Sequence, residues 1–433
     1  MQIRTLALAL ALGAGSAHAQ TEIVWWHSMG GALGEQLNAL AAKFNESQKD
    51  YKVVAVFKGS YPESMTAAIA AFRAGNAPHI LQVFEVGTAT MMAAKGAIVP
   101  VAKVMSDAKE PFDSHAYLPT VAGYYTDLKG NMLSFPFNSS TVMFYINRDA
   151  FKKAGLAPEA PKTWQEFQAA AEKLKAAGQQ CVYTTSWPSW THIENFSAWH
   201  NVPIGTKQNG MGGFDAEFTI NSPLHVRHVA MLGELAKKGM FTYAGRTNQG
   251  DGKFASGECA MVTASAGAQA TFRKNSKLDW SINFLPYYDD VKGAPQNSII
   301  GGASLWVMGG KKPPEYKGVA KFFAFLSSPE IQREWHTSTG YVPITLAAYE
   351  LTRKSGFYDK NPGADMPVKQ LTHKPPTPNS KGLRFGNFVQ GRELIEEELE
   401  AVFAGKKEAK VALDDAVKRG NEILRKFEAT ARN

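Results

Sequence analysis

The sequence predicts an α/β fold in two lobes. Strand-like and helical segments alternate from residue 21 onward, which argues a largely parallel sheet. At 433 residues the chain exceeds what one hydrophobic core serves. Several strands end in small or polar residues, where α/β proteins place a ligand cleft.

The first strand is TEIVWWH; Trp25 and Trp26 are adjacent, so their side chains should take opposite faces. GGALGEQLNALAAKFNESQKD has apolar residues at helical spacing, and YKVVAVF is a second strand. In YPESMTAAIAAFRAGNAPH, Pro62 and Glu63 mark a helix start and Gly75-Asn76 its end. HILQVF is a third strand. Glu85 follows it, with no basic residue before Lys95. Its carboxylate either caps the helix that TATMMA begins or waits for a polar partner.

MLSFPF and TVMFYIN read as strands around a polar corner, Asn138-Ser139-Ser140. KTWQEFQAAAEKLKAAG is an amphipathic helix, with Thr163 and Glu166 spaced as a capping box. CVYTTSW is a strand, HVRHVAMLGELAKKG a helix, and ECAMVTASAG a strand ending in small residues. SIIGGASLWVM and GVAKFFAFL repeat the strand-then-helix order. Residues 356–382 are a proline-rich loop with room for a short helix, and two amphipathic helices close the chain.

The first nineteen residues, MQIRTLALALALGAGSAHA, have a positive start, an apolar run and small residues before Gln20. They predict a secretory signal peptide cleaved after Ala19, and no other apolar run is long enough to span a bilayer. Export places Cys181 and Cys259 where they could pair, and the spacing leaves that open. A formal net charge of +8 helps attract anions, but no basic block points to nucleic acid.

The motifs of common catalysts are missing: GxSxG, HExxH and the phosphate loop GxxxxGK[ST] do not occur. His225 and His228 are three apart on a helix with no third metal ligand in sight, which favours a solvated face. No catalytic residue, metal or cofactor is expected. SWPSWTHIENFSAWH holds Trp187, Trp190 and Trp199, more flat apolar surface than a core needs.

VGTATMMA, PFNSSTVMFYIN, ENFSAW, ECAMVTASAG, IIGGASLWV, GFYDKNPGAD and KGLRFGN together resemble the periplasmic sn-glycerol-3-phosphate-binding proteins of bacterial ABC importers. The resemblance covers nearly the whole mature chain. It implies a maltose-binding-like, type II periplasmic fold with two lobes joined by a hinge over a ligand cleft. Lobe 1 would be 20–136 plus 299–341, and lobe 2 would be 137–298 plus 342–433. It implies a monomeric transport receptor for glycerol 3-phosphate and glycerophosphodiesters such as glycerophosphocholine, delivering them to an inner-membrane permease. The alternative is a sugar or oligosaccharide receptor of the same fold.

The resemblance also carries a ligand set: Tyr61, Glu85, Ser140, Trp187, Ser265, Gly302, Tyr341 and Arg392. Arg392 would hold the phosphate, helped by Ser140, Ser265, Tyr341 and the Gly302 amide, with Trp187 over the carbon chain. Glu85 would accept the glycerol hydroxyls at the opposite end from Arg392. The competing role for Arg392 is an ion pair within ELIEEELE. Glu194, Asn195 and Arg384 read as structural.

Overall fold

The computed structural model describes residues 20–432 apart from 95, 128 and 276. The expected signal peptide, 1–19, lies outside the described residues. Among the described residues, ten strands form two sheets. β1 (Thr21–His27), β2 (Tyr51–Phe57), β3 (Ile80–Phe84), β4 (Ile98–Val99) and β5 (Phe135–Ser140) precede β6 (Val142–Asn147). β7 (Cys181–Thr185), β8 (Cys259–Ser265), β9 (Trp280–Asn283) and β10 (Gly301–Met308) follow.

The first sheet runs β2-β1-β3-β10-β4, with β5 also on β10. β1, β2 and β3 are parallel, while β10 runs antiparallel to β3, β4 and β5. The expected largely parallel sheet is therefore mixed, because β10 returns from the other lobe. Helices Gly31–Ser47 and Pro313–Leu326 cover one face through Leu37, Leu40, Phe44, Phe322 and Phe323. Trp25 is buried there, 5.3 Å from the Phe137 ring. Trp26 takes the other face, with the Lys58 ammonium 4.1 Å above it. The alternation along β1 sets this division.

The second sheet runs β7-β8-β6-β9. Cys181 lies opposite Cys259 in the parallel β7–β8 register, and the two form a disulfide. Helix Trp164–Ala176 has its expected capping box, the Glu166 amide donating to Thr163 Oγ1 at 3.1 Å and Glu166 Oε2 accepting from the Thr163 amide at 3.3 Å.

Two expectations change. Asn138-Ser139-Ser140 is no corner: it is the end of β5, in register with Ala303, Gly302 and Gly301. The chain turns at Thr141 and enters the second sheet as β6. The ladder with β10 holds these polar residues extended, because their amides and carbonyls bond to backbone. The His225–His228 face is not solvated either. Both rings are buried, in a chain linking Tyr183, His192 and His228, with Ser197 and Ser222 on His225. Phe196 stacks on His228 at 3.9 Å. Aromatic neighbours and hydroxyl partners let these imidazoles lie in the core as neutral groups.

Helix Leu346–Lys354 packs on helix Pro329–Thr339, and Ile344 belongs to the core of the first lobe. The proline-rich loop holds two short helices, Phe357–Lys360 and Met366–Leu371. Gln370 in the second donates to Val142 O at 2.7 Å and to Ser298 Oγ at 3.0 Å. That buried amide pins the strand entry where the chain crosses between sheets. Helices Phe388–Phe403 and Ala409–Arg432 pack on each other and on helix Pro223–Lys237. Among the described residues, no helix is long and apolar enough to cross a membrane.

Candidate ligand-binding cleft

A cleft of about 120 Å³ lies between the lobes, at the carboxyl ends of β3 and β8. Tyr61, Glu85, Trp187, Ser265, Gly302, Tyr341 and Arg392 all line it. Seven of the eight residues carried over by resemblance therefore meet, from segments up to 331 positions apart. Ser140 stands just behind the wall. Its hydroxyl is 2.6 Å from Ser265 Oγ and accepts from the Ala266 amide at 3.0 Å.

Local structure explains each position. Tyr61 is the first residue of helix Tyr61–Arg73, where the Glu63 carboxylate accepts from the Ser60 amide at 2.6 Å. Its ring stacks on Phe84 at 5.2 Å, and its hydroxyl accepts from Asn138 Nδ2 at 3.1 Å, leaving its own proton to donate. Asn138 in turn accepts from Gln82 at 2.9 Å, and Gln82 accepts from the Ser28 amide at 2.9 Å. Gly302 has φ +89°, and a Cβ there would meet the Asn138 carbonyl oxygen at 1.8 Å. Only glycine allows β5 and β10 to approach so closely at this wall.

Tyr341 follows the left-handed Gly340 that ends helix Pro329–Thr339, and stacks on Trp335 at 6.0 Å. A Cβ on Gly267 would strike its ring at 2.6 Å. Trp187 has φ +54°, unusual for a bulky side chain, and its amide donates to Thr247 O at 2.9 Å. Trp190 also lines the cleft, while Trp199 is a core residue bonded to Leu285 O. Arg384 donates to the carbonyls of Gly123 and Tyr124, away from the cleft, and Asn195 accepts from the Ile299 amide.

The expected separation of Glu85 and Arg392 is overturned. Arg392 Nη2 donates to Glu85 Oε1 at 2.6 Å. A planar fork also joins Arg392 Nε and Nη2 to Glu194 at 2.9 and 2.6 Å. The three groups are buried, so the guanidinium must be matched by carboxylates. Burial alone would lower the Arg392 guanidinium, but Glu194 and Glu85 outweigh it and hold it above its ordinary range. Burial raises the Glu85 carboxyl, against the opposing pull of Arg392. Glu85 caps no helix with its side chain. Arg392 pairs with no glutamate of its own helix.

Glu194 is the main residue that sequence reasoning misplaced. It holds Arg392 at the cleft edge, and no local pattern connects positions 198 apart. Asp251, on the helix Gln249–Ala255, lines the cleft and was also missed. Its neighbour pattern, NQGDGKF, looks like an ordinary turn and helix start.

The family pattern "Bacterial extracellular solute-binding protein" matches residues 39–366. The chain belongs to this family. Among its relatives, the sn-glycerol-3-phosphate-binding periplasmic protein UgpB of Salmonella paratyphi A is 54% identical over 438 residues, covering 100% of both chains. The UgpB of Yersinia enterocolitica is 56% identical over 427 residues, covering 98% of this chain and 97% of that one. Among solved structures, UgpB from Mycobacterium tuberculosis in complex with glycerophosphocholine has a TM-score of 0.78 at 21% identity, covering 94% of this chain and 99% of that one. Maltose-bound T. maritima MalE3 has a TM-score of 0.76 at 17% identity, covering 93% and 99%. The family member described here thus has the two-lobe, type II periplasmic solute-binding fold.

Proposed function

We propose that this chain is the periplasmic receptor of an ATP-driven importer, exported by cleavage after Ala19. It captures sn-glycerol 3-phosphate and glycerophosphodiesters such as glycerophosphocholine, acts as a monomer without catalysis, and hands its ligand to the membrane permease. Lobe 1 takes 20–136 plus 299–341 and lobe 2 takes 137–298 plus 342–433, except that β5 pairs with β10 as far as residue 140 and the segment through 354 packs on the first lobe. The lobes close over the ligand by a hinge.

One observation supports this reading most. In a chain that matches UgpB along its whole length, the cleft has two chemically unlike ends. At one, Arg392 is already matched by two carboxylates, so it has little net charge to offer an anion. A paired guanidinium and carboxylate instead supply donors and acceptors together, which suits vicinal hydroxyls. At the other end stand the hydroxyls of Tyr341 and of Ser265, which accepts from the Gly267 amide, with the Gly302 backbone, and no carboxylate is paired to them. Uncharged donors of this kind hold a phosphate. The glycerol therefore lies against Glu85 and Arg392 and the phosphate against Ser265, with Ser140 orienting the Ser265 hydroxyl.

Calorimetry with glycerol 3-phosphate, glycerophosphocholine and maltose tests the ligand class; a preference for maltose would overturn it. Glu85→Gln tests the orientation. If Glu85 faces hydroxyls, affinity for glycerol 3-phosphate falls, by about tenfold for a lost charged hydrogen bond. If Glu85 faces the phosphate, affinity rises.

A further inference from the structure

The receptor reading leaves one buried charge in the cleft without a role. Asp251 is 8 % exposed and lines the cleft. Ser186 Oγ donates to its Oδ1 at 2.6 Å, and no cationic side chain of the described residues pairs with it. Arg392 is the only cationic side chain among the described residues of the cleft wall, and its charge is committed to Glu194 and Glu85. Asp251 thus faces the cavity without a counter-charge.

Two aromatic side chains share this part of the wall. Trp187 follows Ser186, the Asp251 partner, and its amide is tied to Thr247 O, just before the helix that carries Asp251. Trp190 lies within a turn of Trp187 and lines the same cavity. The Trp187 backbone is held at positive φ in this arrangement. A carboxylate on the same cavity wall as two indoles is chemistry suited to a large, weakly hydrated cation.

Resting on the receptor reading above, we propose that Asp251, Trp187 and Trp190 form a subsite for a cationic alcohol group esterified to the ligand phosphate. The glycerol end would occupy the Glu85–Arg392 side, the phosphate the Ser265–Tyr341 side, and the cationic end the Asp251 side. A zwitterionic diester then balances the cleft: its phosphodiester carries one negative charge and its ammonium answers Asp251. A phosphomonoester leaves Asp251 unanswered. Burial holds the Asp251 carboxyl up at about 7, as expected for a carboxyl with no cation beside it.

The test is calorimetry on the full mature protein at pH 8, where Asp251 is largely ionised. The probes are glycerophosphocholine, its uncharged 3,3-dimethylbutyl isostere, and glycerol 3-phosphate. The wild type should prefer glycerophosphocholine over the isostere by about tenfold, the scale of a desolvated cation contact. In Asp251→Asn that ratio should collapse to within about twofold. Equal wild-type affinities for the charged and uncharged diesters would overturn the proposal, as would an unchanged ratio in Asp251→Asn. If the variant does not fold, the wild-type ligand pair decides alone. Binding of glycerol 3-phosphate but neither diester would sink the subsite and leave the receptor reading standing. Binding of none of the three would overturn both.

Discussion

One short turn, the π-helical Trp190–Asn195, has two buried polar faces that differ in kind. Glu194 grips Arg392 at the edge of the cleft. His192, two residues earlier, bonds His228 at 3.0 Å inside the second lobe. The first face keeps full charges and the second keeps none. A carboxylate and a guanidinium survive burial only when matched. An imidazole can instead shed its proton, and burial lowers His192 to about 3 and His225 to about 4. Charge is retained where a polar ligand can share it and discarded where the core is sealed.

Breaking the charged face should have the largest effect. Arg392→Ala leaves Glu85 and Glu194 buried and unpaired, and should destabilise folding by about 3–5 kcal/mol at pH 7.5. Urea unfolding measures it. Acidification should narrow the difference from wild type, because protonation removes the stranded charges. Arg392→Met combined with Glu85→Gln and Glu194→Gln should recover much of the loss. A loss under about 1 kcal/mol for Arg392→Ala would mean that water reaches the triad and shares its charge.

The neutral face predicts a smaller, pH-dependent effect. His225 has a folded pKa of about 4, below its unfolded value of 6.5. Above pH 6.5 both states are neutral and nothing is lost. As pH falls from 6.5 towards 4, the unfolded chain takes a proton that the folded one refuses, so stability drops. At pH 5.5 this amounts to about 1 kcal/mol for one such histidine. Asp251 and Glu396 act with the opposite sign, since burial raises them to about 7 and about 8. Their contribution is fully present below their unfolded values of 3.8 and 4.5 and is lost progressively as pH rises from there to their folded values. The lowered histidines, among them His27, His192, His200, His225, His228 and His336, outnumber these two carboxyls, so stability should peak slightly below neutrality. His225→Gln should lose about 1 kcal/mol less than wild type between pH 7.5 and 5.5 by urea titration. Equal losses would mean that His225 titrates normally and the core is wetter than its burial implies.

The same contrast explains what was legible in the sequence. Periodicity exposed the strands and helices, and capping patterns at Thr163–Glu166 exposed a helix start. Family likeness named eight cleft residues, and seven line the cavity. The orientation of Glu85 and Arg392 was not legible. It depends on Glu194, whose side chain lies on another helix, and no spacing rule links residues 85, 194 and 392. Asn138-Ser139-Ser140 looked like a turn because its residues are polar. Its strand character comes from β10, whose Gly302 admits the neighbouring backbone. His225 and His228 looked solvated for a similar reason: their burial is set by Phe196, Trp164 and Tyr288, brought from distant segments.

An exposed charge pair across the cleft sharpens the comparison from the other side. Lys274 Nζ lies 2.8 Å from Glu35, joining the second lobe to helix Gly31–Ser47 of the first. Both side chains are more than half exposed. Water already satisfies them, so the pair gains little from meeting and is screened by salt. Lys274→Ala should shift glycerol 3-phosphate affinity by less than about threefold, and raising the salt should shift the wild type by a similar amount. The adjacent contact, Arg273 Nη1 to Thr337 O at 2.8 Å, would still join the two lobes. A tenfold loss in Lys274→Ala at low salt, absent at high salt, would show that lobe closure depends on surface charge. Closure would then rest on the rim rather than on the buried contacts of Arg392, Glu85 and Glu194.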